Sequence, residues 1–358
     1  MHERETPGLP LGWVKLGEAS QVLRALAAAY GVPRCDDITR CGDGGCGRRT
    51  AIQARTDGGP MLDWQKDTIC YKHVGELAIQ ADVYRVPGRT WQPVIVWIHG
   101  GALIAGNREA IAPWQVELYL QAGFCLVSID YRLAPETKLP EIIADLRDAI
   151  RWVRRCGPGL FGLDPERLAV IGHSAGGYLT LMSGFCVQPA PRAIVPVYGY
   201  GDLIGSWYSQ PDPFYCRLAP VPPETALGSV GQTPISAPQD WQRFSFYLYC
   251  RQQGLWPREV GGVDPHGNPG WFTPYCPLQN VTGSFAPALL LHGDQDTDVP
   301  YEQSRLMAAA LQQAGVACEL ITLQGRGHGF DGDADAAQDA QIQSAFQRVL
   351  AFLREHCA

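Results

Sequence analysis

The 358-residue chain has little positive charge: 29 Lys and Arg against 36 Asp and Glu leave a net charge of -7 at pH 7. Such a chain lacks the basic field that draws phosphate backbones, and no Lys/Arg-rich cluster is read as supplying one locally, so no nucleic acid partner is expected. Long hydrophobic runs are missing too. No stretch approaches the length of a bilayer span, and the mixed charges of Met1 to Glu5 lead into no apolar signal region. The expectation is therefore no membrane partner and a soluble, cytoplasmic protein. The chain also lacks metal-site spacing. Cys35, Cys41 and Cys46 form no CxxC pair and have no nearby His, and the twelve scattered cysteines read as reduced thiols rather than disulfides. Asp331, Asp333 and Asp335 are spaced like a calcium loop, but Ala336 and Ile342 stand where an EF-hand needs Gly and Glu, so they read as a solvated turn. No metal and no cofactor is expected.

What is present is a globular composition, 46% hydrophobic and 18% charged. Residues 1–67 read as an N-terminal appendage with a lid as its candidate role. They hold one apolar helix-like run, Val22 to Tyr30, and a GxGxxG at Gly42, Gly44 and Gly47 that follows no strand and opens no helix, which removes its nucleotide-binding meaning. From 68 to 358 short apolar runs alternate with helical periodicity. The spacing predicts an edge-like strand at 78–86, then strands at 93–98, 124–129, 168–171, 193–197, 288–291 and 319–323. Helices are predicted at 113–121, 141–155, 175–185, 302–314 and 338–355. Such alternation predicts an α/β fold, a mainly parallel twisted sheet with helices on both faces. The rhythm stops at about 201–285, an aromatic- and Pro-rich stretch that reads as a cap insertion.

Gly172-His173-Ser174-Ala175-Gly176 is a GxSxG pentapeptide after the apolar run 168–171 and before a helical pattern, the strand-turn-helix context in which a serine is pushed out of a sheet edge. Ser174 is the candidate nucleophile. His99-Gly100-Gly101-Ala102 follows another buried strand, and its unencumbered amides suit a developing oxyanion; Gly101, Ala102 and Ala175 are the expected donors. His328, flanked by Gly327 and Gly329 beyond the last strand, is the candidate base, because chain order in this arrangement runs Ser, acid, His. His99, His173 and His292, beside strand ends, read as packed or hydrogen-bonded imidazoles, with His173 also a candidate substrate contact. The acid lies among Asp294, Asp296 and Asp298: Asp296 is favoured as the middle candidate, Asp294 is the runner-up, and Asp298 sits where a helix would start. Cap aromatics such as Trp207 and Tyr208 are candidate substrate contacts, although packing of the cap's own core accounts for most of the group, which includes Phe214, Tyr215, Trp241, Phe246, Trp256, Trp271 and Phe272.

Together with Asp130-Tyr131-Arg132-Leu133-Ala134-Pro135, these motifs resemble those of hormone-sensitive-lipase-like carboxylesterases of the α/β-hydrolase fold. The run from Tyr71 to Asp331 is similar to the bacterial group containing bifunctional feruloyl and acetylxylan esterases. The resemblance implies a Ser174, Asp296, His328 triad, an oxyanion hole at Gly101, Ala102 and Ala175, and hydrolysis of a short-acyl or aromatic-acyl small-molecule ester through an acyl-enzyme. Ala102 departs from the third Gly of many lipase-like members. Two rivals stand beside this reading: an exopeptidase-like serine hydrolase, suggested by the His292 to Pro300 loop, and a non-catalytic binding protein on the same fold. The physiological ester stays open, as does the oligomeric state, a homo-oligomer included.

Overall fold

The computed structural model describes residues 49–53, 62–238 and 242–357, with side chains from residue 62 onward. The expected helix-like run at 22–30, the glycine motif at 42–47, the cysteines 35, 41 and 46, and Trp241 lie outside the described residues. Among the described residues nine strands form one sheet in the order β1-β2-β3-β5-β4-β6-β7-β8-β9. They are β1 (Arg49–Gln53), β2 (Asp63–Val74), β3 (Leu77–Arg85), β4 (Gln92–Ile98), β5 (Cys125–Ile129), β6 (Leu163–His173), β7 (Ala193–Val197), β8 (Ala288–Gly293) and β9 (Cys318–Leu323). The first three are antiparallel to their neighbours, and the six from β5 to β9 in sheet order run parallel.

The parallel strands are apolar on both faces because helices cover both. In β4, Val94, Val96 and Ile98 join one core while Ile95 and Trp97 join the other. The first core is covered by α2 (Leu139–Phe161), α3 (Ala175–Cys186) and α5 (Glu302–Gln313); the second by α1 (Pro113–Gln121) and α6 (Ala340–Cys357). Helix α2 buries Leu139, Ile142, Ile143, Leu146, Ile150 and Val153 at helical spacing and stops at Gly162 in the left-handed region. Between β7 and β8 lies the cap, whose longest helix is α4 (Phe244–Gln253), with short helical turns at Pro223–Gly228 and Trp256–Gly261. This is the α/β-hydrolase arrangement.

Three expectations change. The boundary expected at 67/68 falls inside β2, which pairs with β1 and β3 in the main sheet; its mixed exposure hides the alternation that would mark a strand. The strand expected at the sheet edge, β3, lies between β2 and β5. Helix α2 continues six residues past Arg155, through Gly157 and Pro158, and Gly157 stands where a Cβ would collide with Leu163. The chain also groups positive charge more than the sequence reading allows. Arg147, Arg151, Arg154 and Arg155, which lie within nine residues of α2, line a groove with Cys186 to Gln188 at the far end of α3 from Ser174.

Candidate active site

Ser174 joins β6 to α3 with φ 56° and ψ -116°, the strained turn of a nucleophile elbow. The flanking glycines are dictated by crowding: a Cβ on Gly172 would lie 2.2 Å from the Gly176 carbonyl oxygen, and one on Gly176 would lie 2.1 Å from that of Ile98. Only hydrogen at these positions lets β4, β6 and α3 converge. The hydroxyl then sits 3.0 Å from His328 Nε2, and His328 Nδ1 is 2.7 Å from Asp296 Oδ2.

The three aspartates of the acid loop have separate duties. Asp294 accepts a hydrogen bond from the Gly325 amide and ties two loops together at the surface. The Asp296 carboxylate is shielded from solvent; its Oδ1 accepts from the amides of Asp298 and Val299, leaving Oδ2 for His328, with His292 Nε2 3.2 Å away. Asp298 does not start a helix, since α5 begins at Glu302; it is buried, and its Oδ2 lies 3.5 Å from His328 Nε2. Burial opposes the charge of Asp296, but His328 and His292 outweigh it and hold the carboxyl below its ordinary range. Burial likewise disfavours an imidazolium at His328, while Asp296 and Asp298 overcompensate and raise its proton affinity.

The loop after β4 places Gly101 (φ 102°), Ala102 (φ 57°) and Leu103 (φ 61°) in the left-handed region. The amides of Ile104 and Ala105 return to the Gly101 carbonyl, and no described backbone carbonyl accepts from the amides of Gly101 or Ala102. The Ala102 carbonyl is taken by Trp256 Nε1 of the cap at 2.9 Å. The Asp130 to Pro135 segment ties this loop to α2. The Ala134 amide donates to the Leu103 carbonyl, Tyr131 hydroxyl to the His99 carbonyl, and Arg132 to Asp145. Arg243 reaches from the cap to the carbonyls of Ile104 and Ala134 and to Glu136.

His99 and His292 are packed imidazoles as expected. His99 stacks on Tyr131, and burial lowers its pKa to about 4; His292 meets Ser304 and the Val299 carbonyl. His173 is turned toward Asp331, Nδ1 to Oδ2 2.7 Å, with the Tyr198 hydroxyl and Gln115 on the same carboxylate. Asp331 thus leaves the solvated turn assigned to it and becomes a buried anion beside the nucleophile, while Asp333 and Asp335 remain exposed. Tyr208 is a correction: stacked on Trp256 and 1% exposed, it packs the cap and presents no surface to a ligand. Trp207, partly exposed, packs against it. Tyr215, Phe246 and Phe272 are buried as well, in line with the packing reading of the cap aromatics. Sequence reasoning missed Tyr198, whose ring lies 4.5 Å from that of His328, and Arg251; a Tyr after one strand and an Arg inside a cap helix carry no motif.

The BD-FAE family profile matches residues 81–190, and the profile of the prolyl oligopeptidase family matches 254–358. Esterase LipC of Mycobacterium tuberculosis is 32% identical over 245 residues, which cover 67% of this chain and 53% of that protein. The non-reducing polyketide synthase Preu6 of Preussia isomera is 30% identical over 302 residues, 75% of this chain but 14% of that protein. The chain therefore spans about half of one curated relative and a small part of the other. Among solved structures, a Staphylococcus aureus protein of unknown function superposes with TM-score 0.66 at 21% identity, over 81% of this chain and 99% of that one. The propionate-bound Est2 esterase of Thermogutta terrifontis gives 0.58 at 22%, over 81% and 94%.

Proposed function

We propose that this chain, which has the α/β-hydrolase fold and is related to BD-FAE and other bacterial esterases, is itself a serine carboxylic ester hydrolase. One observation carries the reading: the continuous relay from Ser174 Oγ through both ring nitrogens of His328 to Asp296, at 3.0 and 2.7 Å. Ser174 attacks the ester carbonyl as its proton passes to Nε2. Asp296 stabilises the resulting imidazolium through Nδ1–H, and the oxyanion faces the amides of Gly101, Ala102 and Ala175. Collapse of the tetrahedral adduct expels the alcohol, which takes the Nε2 proton; water, deprotonated by His328, then frees the acid.

Short-acyl or aromatic-acyl esters are the proposed substrates, supported by the relation to BD-FAE and by the propionate- and butyrate-bound likeness. The similarity to polyketide synthases over most of this chain favours a second donor, a polyketide acyl thioester, which the same acyl-enzyme chemistry would cleave. The prolyl oligopeptidase match keeps amide cleavage as the rival. A cytoplasmic, reducing setting is part of the proposal, supported by nine unpaired cysteines among the described residues.

A fluorophosphonate probe followed by peptide mapping tests the nucleophile; labelling is expected at Ser174, and an unlabelled Ser174 would favour a binding protein. Turnover of acetate, octanoate and ferulate esters, an acyl thioester and a peptide amide then ranks the donors. A strong preference for octanoate or for the amide would overturn the substrate class.

A further inference from the structure

One buried cation of the cap is enclosed by aromatic rings. Arg251 of α4 is 1% exposed, and its guanidinium lies 4.7 Å from the Tyr215 ring centroid and 4.8 Å from that of Tyr208, with Tyr247 and Trp207 completing the enclosure. It faces two carboxylates. Nη2 donates to Asp212 Oδ2 at 2.5 Å, while Nη1 donates to Asp298 Oδ1 at 2.7 Å and to the Asp298 carbonyl at 3.0 Å. The Tyr247 hydroxyl also donates to Asp298 Oδ1. Arg251 and Tyr247 both hold Oδ1 of the Asp298 carboxylate; the other oxygen, Oδ2, lies 3.5 Å from Nε2 of the catalytic imidazole.

We propose that Asp298, clamped by Arg251 of the cap, is a positioning residue that sets how tightly His328 holds the proton it takes from Ser174. The inference rests on the serine-hydrolase reading and deepens it. One guanidinium cannot neutralise two carboxylates, so Asp212, Arg251 and Asp298 together keep a unit of negative charge beside the base. At this separation, in a site poor in water, that charge acts on Nε2, the atom that gains a proton in the acylation step and must give it up to the leaving alcohol. Asp296 serves Nδ1 and fixes the tautomer; Asp298 serves the opposite nitrogen. The clamp also gives the cap a hold on the chemistry, because three of its segments, around Tyr208, Tyr215 and Tyr247, pack on the arginine that fixes Asp298.

Other groups face His328 as well: Ser174 and Asp296 directly, the Tyr198 ring from the end of β7, and Asp331, paired with His173, from the turn after the base. Arg251 pairs with Asp298 and Asp212, whereas Asp296 and Asp331 pair with His328 and His173, and the double variant below separates the proposal from a general field effect. Removing the carboxylate and removing its clamp should move the base in opposite directions. In Asp298→Asn the imidazolium loses an anion, and the acid limb of the pH profile moves down by on the order of one unit. In Arg251→Met the carboxylate loses its counter-charge, and the limb moves up. Adding Arg251→Met to Asp298→Asn should produce a smaller upward shift than Arg251→Met alone, because only Asp212, which does not reach the imidazole, is left uncompensated.

The pH dependence of Ser174 labelling by a fluorophosphonate reads the limb without a known substrate, and NMR titration of the His328 ring reads the same proton without any reaction. Thermal melting establishes that each variant is folded, with Arg251→Lys as the milder replacement if the methionine variant is not. Opposed shifts in both measurements support the proposal. Unmoved titration in a folded Asp298→Asn overturns it and leaves Asp298 a structural tie. Opposed NMR shifts without any wild-type labelling would uphold the Asp298 clamp and count against the hydrolase reading alone.

Discussion

At the residue scale the triad divides labour by burial. Ser174→Ala removes the only atom able to form the acyl-enzyme, and a loss of about 10⁴-fold or more in ester turnover is expected with melting temperature little changed. Asp296→Asn keeps the shape but reverses the polarity of the contact at Nδ1, and about a 10⁴-fold loss in kcat is expected. Its location was only partly readable: three aspartates within five residues all follow the strand, and what separates them is which carboxylate the loop's own amides and His328 turn inward. His328 also predicts a pH profile. Burial lowers its proton affinity, Asp296 and Asp298 raise it further, and the net value lies above the ordinary 6.5. The base is active only when neutral, so kcat/KM should fall on the acid side with an apparent pKa above 6.5. For stability the sign is opposite. The imidazolium's contacts contribute fully below 6.5 and fade as pH rises through the raised value, so activity should climb while this contribution to the melting temperature declines.

At the element scale, the parallel core was legible because most of its strands are continuous apolar runs and its outer helices α2 and α6 keep one apolar stripe. The antiparallel flank was not. In β2 the exposure pattern follows neither period, so the hairpin it makes with β3 is revealed only by the assembled sheet. The elbow shows how tightly elements must meet. A methyl on Gly176 would press on the Ile98 carbonyl just before the oxyanion loop, so Gly176→Ala should cost about 1–3 kcal/mol in chemical denaturation and depress kcat beyond that loss. Arg243 links the cap to the same loop. Replacing it with Met strands Glu136, 1% exposed in its side chain, and should destabilise by about 3–5 kcal/mol, measured by urea unfolding.

At the scale of the whole molecule, the nucleophile, the acid and the base stand at the ends of β6, β8 and β9, and β7 between them carries the Tyr198 that packs on the base. No two of the three are neighbours in the chain: the Ser174–His328 contact spans 154 residues. Local structure alone cannot bring them together, and contacts of such separation form late and slowly. A reactive Ser174 therefore serves as a clock for completion of the fold. During refolding, the moment at which a serine probe first reacts marks the point at which the ends of β6, β8 and β9 stand together.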